Sequence, residues 1–126
     1  MVTKQFPGSP DEADVTRADS LAREIFSDIA NKWALLIIEA LGERTRRFSE
    51  LRGDVEGISH KMLTQNLRML ERNGLVDRRV YPTVPPRVEY TLTGPGRALR
   101  ATVDGMCAWT HRHLGHIEAS RRRFGA

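Results

Sequence analysis

The sequence predicts a mainly α-helical domain of the α+β class, in which three compact helices precede a two-stranded antiparallel hairpin and a further helix lies at each end. Two observations predict it. Apolar residues recur at three- and four-residue steps in several segments, which is typical of helices. Two runs rich in Val, Tyr and Thr, separated by a proline-rich stretch, are typical of a hairpin. The 126 residues are enough for one domain with a real core.

The first helix is predicted from about Val15 to Ile29, where the apolar residues share one face. Residues 1–14 contain two prolines and a glycine, and we expect them to form a flexible tail. The next segment, Trp33 to Leu41, is apolar nearly all round and ends at Gly42. It predicts a short buried helix at the centre of the core.

A polar connection, residues 43–47, leads to a short helix in which Phe48 and Leu51 share a face. Ser59 stands where an N-cap would satisfy the free amides of the following helix. That helix is predicted to run to about Asn73 and to stop at Gly74.

Strands are predicted at 75–81 and 87–92, around a loop stiffened by prolines. Thr93 is a candidate N-cap for a last helix that runs to about Ser120, with Pro95 in its first turn. The domain is thus expected over residues 15–120, followed by a basic tail at 121–126. Three compact helices and a hairpin are the arrangement of a winged helix-turn-helix.

Composition excludes several classes of protein. No apolar run approaches the roughly 20 residues that cross a bilayer, and the polar N-terminus does not resemble a signal peptide, so we expect a cytoplasmic protein. The single cysteine, Cys107, allows neither a disulfide within the chain nor a cysteine-based zinc cluster. On the last helix His113 and His116 share a face but His111 does not, so no metal is expected. No catalytic motif, and hence no enzyme and no cofactor, is predicted.

The predicted helix that begins at Ser59 has two different faces. Leu63, Leu67 and Leu70 fall on one side, and a basic and polar set falls on the other. Lysine and arginine neutralise phosphate or donate to guanine, and glutamine pairs with adenine, so the polar side suits duplex DNA. A merely solvated helix face remains the alternative for this helix taken alone. The candidate DNA-binding residues of this helix are Ser59, His60, Lys61, Thr64, Gln65 and Arg68.

The hairpin makes the DNA-binding interpretation stronger. Arg78, Arg79 and Arg87 flank its loop, where they can straddle a phosphate backbone or reach the adjacent minor groove. Arg46 and Arg47 add a basic turn ahead of the third helix. From residue 44 to residue 87, ten side chains are basic and five are acidic.

At this point the residues resemble a known family, the HxlR-type transcriptional regulators of bacteria. The resemblance covers about Ser20 to Trp109, and its most specific part is the ordered motif of the hairpin. It implies a homodimeric winged-helix protein that binds DNA, with the first and last helices building the dimer interface. The residues that carry it are Lys32-Trp33, Arg47-Phe48-Ser-Glu-Leu51, Gly57-Ile-Ser59, Leu63-Thr-Gln65, Leu67, Leu70-Glu71, Gly74-Leu-Val76 and Arg79-Val-Tyr-Pro-Thr-Val-Pro-Pro-Arg-Val-Glu-Tyr-Thr-Leu-Thr93.

Two departures from the family matter. Many members carry a cysteine where this chain has Ser20, so thiol sensing by that route is put in doubt. Asn66 stands where a basic residue is common, which predicts a weaker phosphate contact. For Cys107 we favour a small buried or interface residue over a redox site.

The predicted function is sequence-specific regulation of transcription, more often repression, by a homodimer on a pseudo-palindromic operator. A small apolar effector would bind between the first and last helices. The alternative is a winged-helix module that binds a protein partner and has no specific DNA target. The residues predicted for the dimer interface or effector pocket are Leu21, Ile25, Phe26, Trp33, Met106, Cys107 and Trp109.

Overall fold

Residues 11–125, the part of the chain that the computed structural model describes, form five helices and a three-stranded antiparallel sheet. The order of helices and strands agrees with the predicted winged helix-turn-helix, apart from one additional strand. The elements are α1 (Glu12–Ile29), α2 (Lys32–Leu41), β1 (Thr45–Arg47), α3 (Phe48–Asp54), α4 (His60–Arg72), β2 (Val76–Tyr81), β3 (Arg87–Leu92) and α5 (Gly94–Arg123).

The core forms around α2, as its nearly continuous apolar sequence predicts. Ile37, Ile38 and Leu41 have no exposed surface, and they belong to one cluster with the buried leucines of α3 and α4. Tyr90 and Leu92 close the cluster from the sheet. This single core fixes the position of α4 relative to the hairpin. The polar side chains of α4 and of the hairpin are therefore held at fixed positions relative to each other.

The sheet has the strand order β1-β3-β2, so β3 is its central strand. Strands β2 and β3 pair as the hairpin that the sequence predicts, with Val80 opposite Val88, although β2 begins at Val76, one residue later than predicted. The polar connection 43–47 was expected to lack regular structure, and that prediction is wrong for its last three residues. Thr45 to Arg47 pair with the free edge of β3, and the Thr45 and Thr91 hydroxyls lie 2.9 Å apart. A strand of three residues is too short to show an alternating pattern.

Both terminal helices are longer than predicted. Asp11 accepts a hydrogen bond from the Asp14 amide at 2.8 Å, so α1 begins at Glu12 rather than near Val15. At the other end α5 continues to Arg123, through part of the predicted basic tail. Basic residues in a last turn are favourable because the C-terminal end of a helix carries partial negative charge. The remainder of the predicted N-terminal tail, residues 1–10, lies outside the described residues.

Polar contacts attach the two terminal helices to the core. Asp28, near the end of α1, accepts a hydrogen bond from Asn73 at 3.1 Å, just beyond α4. On α5, Arg100 donates to Glu39 of α2 at 3.3 Å. Burial, together with a hydrogen bond to Asp104, raises the pKa of Glu39. Both terminal helices are therefore held to the body of the domain by α2 and by the end of α4. Across residues 11–125, no helix has the length and apolar character needed to cross a membrane.

Candidate nucleic-acid interface

Helix α4 has one buried face and one open face, as predicted. Ser59 caps it by accepting a hydrogen bond from the Met62 amide at 3.1 Å. Leu63 and Leu70 are fully buried and Leu67 is 2% exposed. The opposite side presents exposed Lys61, Gln65 and Arg68 to solvent. Within residues 11–125, neither Lys61 nor Arg68 has an acidic partner at ion-pair distance.

Asn66 does not lie on the open face, and the prediction that it weakens a phosphate contact is therefore wrong. Its side chain is 6% exposed and donates a hydrogen bond to the Met62 carbonyl oxygen at 2.9 Å. A basic residue with the same orientation would point toward the core. The prediction was taken from the residue type common in the family at this position, and a residue type does not give the orientation of the side chain, which here lies beside buried Leu67.

The first turn of α4 is closely supported by α3. The His60 ring lies 4.7 Å from the Phe48 ring, centroid to centroid, and remains exposed on its other side. Thr64 donates its hydroxyl to the His60 carbonyl oxygen at 2.9 Å and is half-buried. The hydroxyl of Thr64 is thus engaged within the helix, whereas His60 is available to a ligand from solvent.

The two consecutive arginines of β2 lie on opposite faces of the hairpin, because side chains alternate along a strand. Arg78 is paired with Tyr90 and faces α4, while Arg79 is paired with Glu89 on the outer face. A groove of about 490 Å³ separates Arg78 from α4. It is lined by Phe48, His60, Thr64, Leu67, Arg68, Glu71, Arg78, Val88 and Tyr90.

The outer face of the hairpin holds a cluster that the sequence analysis did not predict. The guanidinium carbon of Arg87 lies 4.2 Å from the centroid of the Tyr81 ring, and that of Arg79 lies 5.2 Å from it. Glu89 approaches Arg87 with its carboxylate 3.3 Å from Nε. Tyr81 thereby orients two of the predicted DNA-binding arginines. The signal was present, since Arg79 and Tyr81 are two apart on one strand and Arg87 is the cross-strand neighbour of Tyr81.

The two arginines of β1 have different surroundings. Arg46 is only 24% exposed and donates to both carboxylate oxygens of Asp54, at 3.0 and 3.1 Å. These hydrogen bonds raise the pKa of its guanidinium. Arg47 is exposed at the start of α3, where its backbone amide donates to Glu50 at 2.8 Å. Arg46 therefore holds β1 against α3, and Arg47 is the arginine of this pair that is exposed to solvent.

The residues predicted for a pocket between the terminal helices do not enclose one within a single chain. Leu21 and Phe26 of α1 are 54% and 60% exposed, and Met106 and Trp109 of α5 are 65% and 51% exposed. Ile25 and Trp33 are half-buried against the core.

Cys107 is exposed, so it is not the buried residue that was one of the two expectations. Of the nearby histidines, His113 stacks on Trp109 with ring centroids 5.2 Å apart. Among residues 11–125, no group of three or more histidine, cysteine or acidic side chains is placed to hold a metal ion.

A capped helix with an open basic face, placed beside a hairpin that carries further arginines, defines the chain as a winged helix-turn-helix protein of the DNA-binding kind. Residues 28–118 match the family described as HxlR-like helix-turn-helix. The chain belongs to this family of transcriptional regulators.

Individual relatives agree with this assignment. The HTH-type transcriptional regulator YtfH of Escherichia coli (strain K12) is 41% identical over 100 residues, which are 79% of each chain. The structure of the transcriptional regulator ytfH from Salmonella typhimurium has 40% identity and a TM-score of 0.68, covering 80% of this chain and 90% of that one. The reduced form of YodB from B. subtilis has 41% identity and a TM-score of 0.64, covering 70% and 86%.

Proposed function

We propose that this regulator binds a specific pseudo-palindromic operator as a homodimer and represses transcription by excluding the polymerase. Each subunit places α4 in the major groove, where Lys61, Gln65 and Arg68 meet the base edges and His60 meets the flank of the site. Ser59 lies at the N-terminal end of α4, where free amides favour phosphate. Arg47, Arg78, Arg79 and Arg87 contact the backbone on either side. Because its target is chromosomal DNA, we expect it to act in the cytoplasm.

The observation that carries this proposal is the contrast between the two faces of α4. Its leucines are buried in the core, so the helix cannot rotate, and its open face carries Lys61 and Arg68 with no acidic partner at ion-pair distance among residues 11–125. Exposed cations with no partner in the protein are available to phosphates and bases. Arg78, which lies across the groove from α4, extends the same positive surface to the hairpin.

Exposed apolar side chains on both terminal helices support the homodimer. Phe26, Met106 and Trp109 are each more than half exposed, although large apolar groups gain free energy on leaving water. Exposed large apolar side chains on both of these helices are the kind of surface that a dimer interface would bury. The predicted effector pocket would then be closed by the second subunit, and a small apolar effector there stays a prediction.

Replacement of Arg79 by alanine tests the role of the hairpin. We expect Arg79→Ala to weaken binding to all duplexes and to reduce the slope of log K against log salt by about 1, because one phosphate contact and its released counterion are lost. Arg23→Ala, which removes an exposed arginine from α1, is the matched control and should leave the slope unchanged. Fluorescence anisotropy of labelled duplexes over a range of salt concentrations measures the affinity and the salt slope of each variant. Salt-independent or absent DNA binding by the unmodified protein would instead favour a module that binds a protein partner.

A further inference from the structure

The tip of the hairpin is an apolar projection on a basic surface. Residues 82–86, Pro-Thr-Val-Pro-Pro, connect β2 to β3, and all five are exposed. The side chain of Val84 is 99% exposed, more than any other exposed large apolar residue of the described chain. Among residues 11–125, nothing packs against Val84. An apolar group held in solvent in this way is available to a partner.

The same loop offers few hydrogen-bond donors. Pro82, Pro85 and Pro86 have no amide hydrogen. Thr83 uses both of its donors inside the loop, since its amide donates to the Tyr81 carbonyl and its hydroxyl to the Pro85 carbonyl, each at 2.8 Å. The amide of Val84 is the remaining backbone donor. The loop therefore contacts a partner chiefly through its methyl groups and proline rings. The two internal hydrogen bonds of Thr83 stabilise the conformation of the loop.

Arginines border this apolar tip on two sides. Arg79 and Arg87 are held on the Tyr81 ring on the outer face of the hairpin. Arg47 lines a concavity of about 570 Å³ between the tip and the start of α3. The tip of the hairpin is thus a narrow apolar ridge with arginine side chains on either side. The minor groove of duplex DNA is its complement, because two rows of phosphates border a floor about 6 Å wide.

We propose that Val84 enters the minor groove next to the half-site that α4 contacts, and that it makes binding depend on the absence of the guanine 2-amino group at that position. This inference rests on the proposed DNA binding. The 2-amino group is the feature that distinguishes G·C from A·T pairs on the minor-groove floor. Pressed against the methyl groups of Val84, it loses its water and gains no acceptor, which is costly. Residue Val84 is therefore a specificity-determining residue that acts without a hydrogen bond.

The test uses the full chain and modified duplexes. Tight binders are first selected from a pool of random duplexes, and each base pair outside the selected half-sites is then replaced in turn by A·T, G·C, inosine·C or 2,6-diaminopurine·T. Inosine·C lacks the 2-amino group but keeps the major-groove edge of G·C, and diaminopurine·T adds that group to an A·T pair. At one flanking position of each half-site, we expect A·T and inosine·C to bind alike. G·C and diaminopurine·T should bind about tenfold more weakly there.

Variants assign the effect to the valine. Val84→Ser should bring the four duplexes to within about twofold of one another, since the hydroxyl supplies an acceptor for the amino group. Val80→Ser makes the same change on β2, at a residue that is 50% exposed, and should keep the full discrimination. The inference is overturned if the four duplexes bind the unmodified protein equally, or if Val84→Ser discriminates as the unmodified protein does. If no duplex is bound in a salt-sensitive manner, the proposed function fails and this inference fails with it.

Discussion

Gly96→Ala is expected to lower the free energy of unfolding by about 3 kcal/mol, because an added methyl group has no room. Gly96 is buried in the first turn of α5, and a Cβ built on it would overlap the carbonyl oxygen of Leu75. The same oxygen accepts a hydrogen bond from the Thr93 amide at 3.0 Å. The backbone at the junction of β2 and α5 must shift, and the core shifts with it. Thermal unfolding at fixed protein concentration should show a drop of about 10 °C.

Gly53→Ala is the matched control. Gly53 lies in α3, is exposed, and has no heavy atom within 4 Å of an added Cβ. Alanine is also the better helix former, so this variant should unfold at or slightly above the temperature of the unmodified protein. A Gly96→Ala protein as stable as the unmodified chain would show that α5 does not lie as tightly against Leu75 as the structure has it.

Trp109→Glu is expected to convert the proposed dimer to monomers and to weaken binding to the selected operator by at least about 100-fold, since the two half-sites are then no longer bound together. Trp109 is 51% exposed on α5 and lies near Met106, which is 65% exposed, one turn away. A carboxylate placed in an interface must lose its hydration when the interface forms, which is costly. Sedimentation velocity measures the oligomeric state, and circular dichroism checks that the variant remains helical.

Val80→Glu is the control for the effect of a new charge on an exposed apolar side chain. Val80 is about as exposed as Trp109 but belongs to β2 of the hairpin and to neither terminal helix. It should leave the protein dimeric. A monomeric unmodified protein, or a Trp109→Glu variant that stays dimeric, would contradict the proposed interface between the terminal helices.

Local sequence patterns predicted most of the fold because several helix ends are marked by capping residues or glycines. Ser59 and Thr93, the predicted caps, are side-chain caps in the structure, and Gly42 ends α2 with a positive φ of 51°. These signals act within a few residues of the chain, so they can be read without tertiary information. Strand β1 has no such signal. It is defined by pairing with β3, more than 40 residues later in the chain, and only the fold brings the two together.

The site was predicted less completely, for a similar reason. Sequence patterns identify the arginines but not their partners, so they do not distinguish Arg46 from Arg47. In the structure Asp54 accepts two hydrogen bonds from Arg46. Helical periodicity also assigns marginal positions poorly. Phe26 of α1 is 60% exposed despite its place in an apolar pattern. A helix that packs against a second subunit has the same pattern as one that packs in a core.

The central claim is that the open face of α4 distinguishes DNA sequences, and Gln65 tests it most directly because its amide can pair with adenine. The measurement is the ratio of affinities for the selected operator and for random duplex, before and after Gln65→Ala. We expect the operator to be bound about tenfold more weakly and random duplex to be bound as before. Equal losses on both duplexes would contradict the claim, since Gln65 would then contribute to DNA binding without contributing to the choice of sequence.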